Sequence, residues 1–154
     1  GAKEVTGVDI SAFACEFATE NARLNGLENV VHFVEANAFD LLAEQSRAGV
    51  KYDVVILDPP AFAKHHKVLG NALQGYKRLN TQAFRQIKPG GILFTFSCSQ
   101  AVNREQFRMA VFSAAAIAGR RVRILHQLTQ PADHPVNIYH PEGEYLKGLV
   151  LYVE

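Results

Sequence analysis

Short apolar runs, each ending on a polar or charged residue, alternate in this chain with stretches of helical periodicity. Val5-Thr6-Gly7-Val8 runs into Asp9, and residues 30–34 lead through Glu35 and Ala36 to Asn37. Residues 52–57 end on Asp58, and residues 92–97 on Cys98. Parallel strands need a crossover long enough to hold a helix, so this alternation predicts an α/β fold with a mostly parallel sheet and helices on both faces. If the four runs are parallel strands, their terminal residues share the carboxyl rim, where open α/β sheets bind ligands.

The pattern places strands at about 4–9, 30–35, 52–57, 92–97, 121–128 and 145–153. Helices fall at about 11–25, 38–48, 72–87 and 103–118. Ser11 is an N-cap, Phe13, Phe17, Ala14, Ala18 and Ala22 recur at helical spacing, and Asn25-Gly26 stops the helix. The run at 52–57 reads as a strand buried on both faces. The last two strands have no helix between them, which predicts an antiparallel pair at one end of the sheet. Residues 1–4 read as the tail of a helix, so the chain looks like one whose first βα unit is missing.

Length and composition narrow the class. The 154 residues suit one domain, and 48% hydrophobic with 20% charged residues is ordinary for a globular chain. A net charge of +1 gives no global attraction to nucleic acid, so any such binding needs a local patch. No apolar run reaches the roughly 20 residues of a membrane span. Two cysteines in unlike contexts make no disulfide framework, which suits a cytoplasmic location.

The candidate chemistry lies at the strand ends. A carboxylate at Asp9 can accept both ribose hydroxyls of a nucleotide-like cofactor, or it can cap a helix. Asn37-Ala38-Phe39 offers an amide and a backbone N–H to an adenine edge; the plainer reading is a helix cap beside a core aromatic. Asp58-Pro59-Pro60-Ala61-Phe62 is sharper, because two prolines remove two donors and fix the direction in which the acid leaves the sheet. Cys98 sits between Ser97 and Ser99, a polar setting for a nucleophilic thiol. Cys15 lies among Phe13, Ala14, Phe17 and Ala18 and reads as helix packing. Lys64-His65-His66-Lys67 suits phosphate contacts or a solvated loop equally. Asp133-His134 offers acid–base work or loop stabilisation. No cluster has metal-ligand spacing, and no glycine-rich nucleotide fingerprint is present.

Taken together, Gly7-Val8-Asp9-Ile10-Ser11, Asn37-Ala38-Phe39, Asp58-Pro59-Pro60-Ala61-Phe62, Gly75-Tyr76-Lys77, Gly90-Gly91-Ile92-Leu93, Ser97-Cys98-Ser99, Ala132-Asp133-His134-Pro135 and residues 142–148 span nearly the whole chain. In this order they resemble the class I S-adenosylmethionine-dependent methyltransferases. More narrowly, they resemble the bacterial 23S rRNA 5-methylcytosine methyltransferases that carry an N-terminal PUA domain. The resemblance implies a Rossmann-like sheet whose first strand, glycine-rich loop and PUA domain are not in this sequence, with residues 1–154 the C-terminal part of one catalytic domain.

It also implies roles. Asp9, Ile10, Ser11, Asn37, Ala38, Phe39, Asp58 and Pro59 would contact S-adenosylmethionine. Asn37 stands where the family usually has Asp. Cys98 would be the nucleophile and Asp58 the acid that engages the base. Pro60, Phe62, Lys64, Lys67, Tyr76, Lys77 and His134 would meet the substrate, a single-stranded or flipped cytosine of 23S rRNA. A homodimer is compatible with the sequence. Two readings compete: an amino-methylating enzyme of the same fold, which would not need the thiol, and a truncated domain that binds RNA without activity of its own.

Overall fold

The computed structural model describes residues 1–62 and 69–154. The chain divides into two units, Gly1–Arg47 and Ala48–Glu154.

In the first unit, strand β1 (Val5–Asp9) is followed by helix α1 (Ala12–Leu24), strand β2 (Val31–Glu35) and helix α2 (Ala38–Arg47). The two strands are parallel, with Val5 opposite Val31 and Asp9 opposite Glu35. Helix α1 starts where sequence chemistry says it should: the Ser11 side chain accepts the Ala14 N–H, satisfying one of the helix's orphan donors. The helix buries Cys15 and Ala22, whereas Phe13 and Phe17 are 72% and 63% exposed. The periodicity groups these two phenylalanines with the apolar positions, but the stripe that turns inward is the small-residue one.

The second unit contains strand β3 (Tyr52–Leu57), helix α3 (Leu69–Gln86), strand β4 (Ile87–Ser97), helix α4 (Arg104–Ala118), strand β5 (Val122–Leu128), a 3-10 turn at Pro141–Gly143 and strand β6 (Lys147–Val153). The sheet order is β3-β4-β6-β5. Strands β3 and β4 are parallel, and β6 runs antiparallel to both β4 and β5. The expected α/β architecture, mostly parallel with an antiparallel final strand, is therefore what the chain adopts. The last two strands form the expected antiparallel pair at one end of the sheet, with β6 inserted between β4 and β5 and β5 at the edge.

Within this unit the two helices lie on one face of the sheet. The crossovers β3-α3-β4 and β4-α4-β5 advance in the same direction across the sheet, and crossovers of one hand then place both helices on one side. That face carries Leu57, Leu93, Thr95 and Ser97, all buried. Strand β3 is not buried on both faces: it is the edge of its sheet, and Val54 and Ile56 are 52% and 66% exposed.

Strand β4 starts at Ile87, earlier than the sequence pattern indicates. Ile87 pairs with Tyr52, and the register then jumps so that Val54 pairs with Ile92. Lys88, Pro89, Gly90 and Gly91 fill this irregularity. A Cβ at Gly91 would stand 2.7 Å from the Asp53 carbonyl oxygen, so the close approach of the two strands requires glycine there.

The core joins the helices to the sheet through Tyr76, Phe84, Leu93, Phe107 and Leu151, each at most 1% exposed. Burying a large apolar side chain of this kind is worth roughly 1.5–3 kcal/mol. Helix α4 begins with a reciprocal capping box between Asn103 and Gln106 and ends at Gly119, whose φ of +67° is left-handed. Just beyond it, the Arg120 guanidinium donates to the carbonyls of Phe84, Ile87 and Glu154, tying both helix ends to the last strand.

Candidate active site

Parallel pairing sets the position of each candidate acid. In the first unit, Asp9 and Asn37 lie at the carboxyl ends of neighbouring strands. The Asp9 carboxylate is exposed; its Oδ1 accepts the Ser11 N–H at 2.8 Å, and its other oxygen has no partner among the described residues. Ile10, beside it, is 73% exposed. The Asn37 side-chain oxygen accepts the Phe39 N–H at 2.9 Å and so opens helix α2. Ala38 is exposed and Phe39 half-buried in the first turn. An outward carboxylate with an uncommitted oxygen to accept from hydroxyls, with an amide on the neighbouring strand, fits the sugar and base of a nucleoside cofactor.

In the second unit, Asp58 follows β3 and Cys98 follows β4, on adjacent parallel strands and on the same edge. The Cys98 thiol is half-buried and lies 3.9 Å from the Pro59 carbonyl oxygen. Asp58 is exposed, with no hydrogen bond or ion pair among the described residues. Pro59 is half-buried and Pro60 exposed. Cys15 differs from Cys98: it is buried on α1, its thiol 3.8 Å from the Asp9 carbonyl.

Phe62 packs its ring 4.7 Å from that of Tyr76. A Cβ at Gly75 would come within 3.0 Å of the Phe62 ring, so the glycine leaves room for this contact. Tyr76 itself is fully buried, with its ring edge-on to Phe107. Lys77 is half-buried and lines a groove between α3 and α4 with Leu73, Asn103 and Met109. His134 is exposed, with its Nδ1 3.4 Å from the Asp133 carboxylate. Lys64 and Lys67 lie outside the described residues. Among the described residues, no group of three or more His, Cys, Asp or Glu side chains could hold a metal ion, and no helix is long and apolar enough to cross a membrane.

Ser97, Ser99, Tyr76 and Lys147 lie in motifs that the sequence marks, but their meeting in a buried network beside Cys98 is not foreseen by sequence reasoning. Ser97 and Ser99 are fully buried, and both their hydroxyls lie 2.9 Å from the Tyr76 hydroxyl. Lys147, the first residue of β6, pairs with Ser97 across the ladder and is 6% exposed. Its ammonium donates to the carbonyls of Ser99 and Tyr145, each at 2.6 Å. Burial pushes its pKa down; the Cys98 thiolate opposes that shift, and Arg104 adds to it. Helical spacing could have placed Tyr76 inward, since Ala72, Tyr76, Leu79 and Ala83 recur at i, i+4, i+7 and i+11 and all are buried. Nothing local marks Lys147 as buried.

The family model described as a methyltransferase domain matches residues 1–135, and the chain belongs to that family. The ribosomal RNA large subunit methyltransferase I of Aeromonas salmonicida is 46% identical over 152 residues, covering 98% of this chain and 38% of that protein. Its namesake in Aeromonas hydrophila is 47% identical with the same coverage. The chain thus spans about 38% of the length of these relatives. Among solved structures, SMU.776 complexed with SAH matches with a TM-score of 0.84 at 21% identity, over 99% of this chain and 40% of that one. The SAM-dependent methyltransferase of Agrobacterium tumefaciens gives 0.64 at 20% identity, over 97% of this chain and 48% of that one. These two likenesses show the Rossmann-like methyltransferase fold.

Proposed function

We propose that residues 1–154 form part of the catalytic domain of an rRNA methyltransferase that makes 5-methylcytosine in 23S rRNA through a covalent cysteine adduct. One observation carries the reading: Cys98 and Asp58 leave adjacent parallel strands at the same edge, with the thiol against the loop that bears the acid. The namesake relatives, at 46–47% identity, support a ribosomal RNA substrate.

Carbon 5 of cytosine is too weak a nucleophile to take a methyl group directly. The Cys98 thiolate adds to carbon 6, forming the S–C6 bond and making carbon 5 enamine-like. Asp58 holds a proton at N3, which neutralises the charge that develops in the adduct. S-adenosylmethionine would supply the electrophilic methyl group that carbon 5 takes up, its sulfonium leaving as the neutral thioether. Loss of the carbon 5 proton to a base then restores the C5–C6 double bond and expels the Cys98 thiolate. Asp9 would hold the cofactor ribose, and Asn37, Ala38 and Phe39 would meet its adenine. Pro60 and Phe62 would meet the target base. Lys77 and His134 would contact RNA.

RNA containing 5-fluorocytosine tests this, because fluorine at carbon 5 cannot leave as a proton and the adduct persists. The expected result is a covalent RNA–protein species whose linked peptide contains Cys98. An adduct that survives Cys98→Ala, or one mapped to Cys15, would overturn the reading.

A further inference from the structure

We propose that Tyr76 and Lys147 are positioning residues that fix Cys98 for attack, Tyr76 through the two serine side chains flanking the thiol and Lys147 through the main chain that follows it. The proposal rests on the reading of Cys98 as the nucleophile.

Strand β4 ends at Ser97, so the ladder does not hold Cys98. Its neighbours are held instead by a closed polar network in the core. The Ser97 hydroxyl donates to the Tyr76 oxygen at 2.9 Å, and the Tyr76 and Ser99 hydroxyls are 2.9 Å apart. The Ser99 N–H reaches back to the Ser97 hydroxyl at 3.4 Å. Ser97, Ser99 and Tyr76 are all 0% exposed. From the other side, the Lys147 ammonium grips the Ser99 carbonyl and ties it to Tyr145 at the entry to β6. The Tyr76 ring is in turn wedged between Phe62 and Phe107.

Stability alone gives little reason for this arrangement. Lysine is almost never buried without a paired carboxylate, and Lys147 has no ion pair among the described residues. Apolar side chains of the same shape would fill a core at least as well as buried polar groups. What the network does supply is a fixed main chain on both sides of a thiol that must approach carbon 6 to about 3–3.5 Å. The Cys98 side chain itself projects the other way, toward the Pro59 carbonyl. Tyr76 therefore acts without touching substrate, which replaces the direct contact the family resemblance implies for it.

The test compares Tyr76→Phe, which removes one oxygen and keeps the ring, with Lys147→Met and Cys98→Ala in the enzyme. Three quantities are read: kcat and KM for RNA and for S-adenosylmethionine, the melting temperature, and the rate at which iodoacetamide alkylates Cys98, with Cys15 as the internal reference. The expected result is a fall in kcat of about tenfold or more with KM held within about twofold, since a small misplacement of a reacting group can cost up to about a hundredfold. The alkylation rate of Cys98 relative to Cys15 should change in both variants.

A kcat and an alkylation rate within about twofold of wild type in Tyr76→Phe would overturn the proposal whatever happens to the melting temperature. If Lys147→Met does not fold, Tyr76→Phe decides alone. If Cys98→Ala still methylates, the proposed function fails, and the alkylation rate by itself then judges whether the network positions the thiol.

Discussion

The Cys98 thiol lies 3.9 Å from the main-chain carbonyl of Pro59. That contact joins the end of β4 to the loop after β3, at the residue that follows the exposed Asp58. Prolines at 59 and 60 give the loop its fixed course. The thiol and the acid are thus delivered by two neighbouring strands whose spacing the sheet determines.

Asp58→Asn should separate chemistry from stability. The carboxylate is exposed and has no partner among the described residues, so the unfolding free energy should stay within about 0.5 kcal/mol of wild type. A proton-holding group typically contributes about 10²–10⁴ in rate, so kcat should fall at least about a hundredfold. A normal kcat measured on rRNA would remove Asp58 from the reaction.

Asp9→Ala should weaken S-adenosylmethionine binding by more than about tenfold, or roughly 1.4 kcal/mol, as read by calorimetry. Asn37→Asp keeps an acceptor for the Phe39 N–H, so the start of α2 should survive, and cofactor affinity should hold or rise. Equal affinity in wild type and Asp9→Ala would mean that the ribose is held elsewhere.

Gly91→Ala should be among the most damaging small substitutions in the sheet. The new methyl would stand 2.6 Å from the Ile87 side chain and 2.7 Å from the Asp53 carbonyl, and the carbonyl cannot move without breaking the β3–β4 register. A loss of about 2 kcal/mol or more is expected in denaturant unfolding. A loss below about 0.5 kcal/mol would show that the bulge relaxes freely.

Lys147 makes stability depend on alkaline pH. Its pKa in the folded protein is lowered by burial, so between that value and the ordinary lysine range the unfolded chain binds more protons than the folded one. Stability contributed at this site therefore rises with pH through that window and is flat below it. The difference in unfolding free energy between wild type and Lys147→Met should grow in favour of wild type, with a slope of at most about 1.4 kcal/mol per pH unit. A pH-independent difference up to about pH 10.5 would show that Lys147 keeps its ordinary pKa.

Much of the fold could be read from the chain because its signals are local. Ser11 caps α1, Asn103 and Gln106 cap α4, and Gly119 closes it, each through a contact within one turn. Apolar runs ending on Asp9, Asn37, Asp58 and Cys98 put these residues at strand ends, since strand length and breaker residues are written in sequence. What the sequence alone did not determine is which side chains the sheet order would bury. The same few letters place Val54 and Ile56 in solvent on an edge strand, and Lys147 in the core of a strand that inserts between β4 and β5. Neither follows from neighbours along the chain. Burial is a sum over contacts from distant segments, and only tertiary packing decides that Tyr76, Ser97, Ser99 and Lys147 meet around one cysteine.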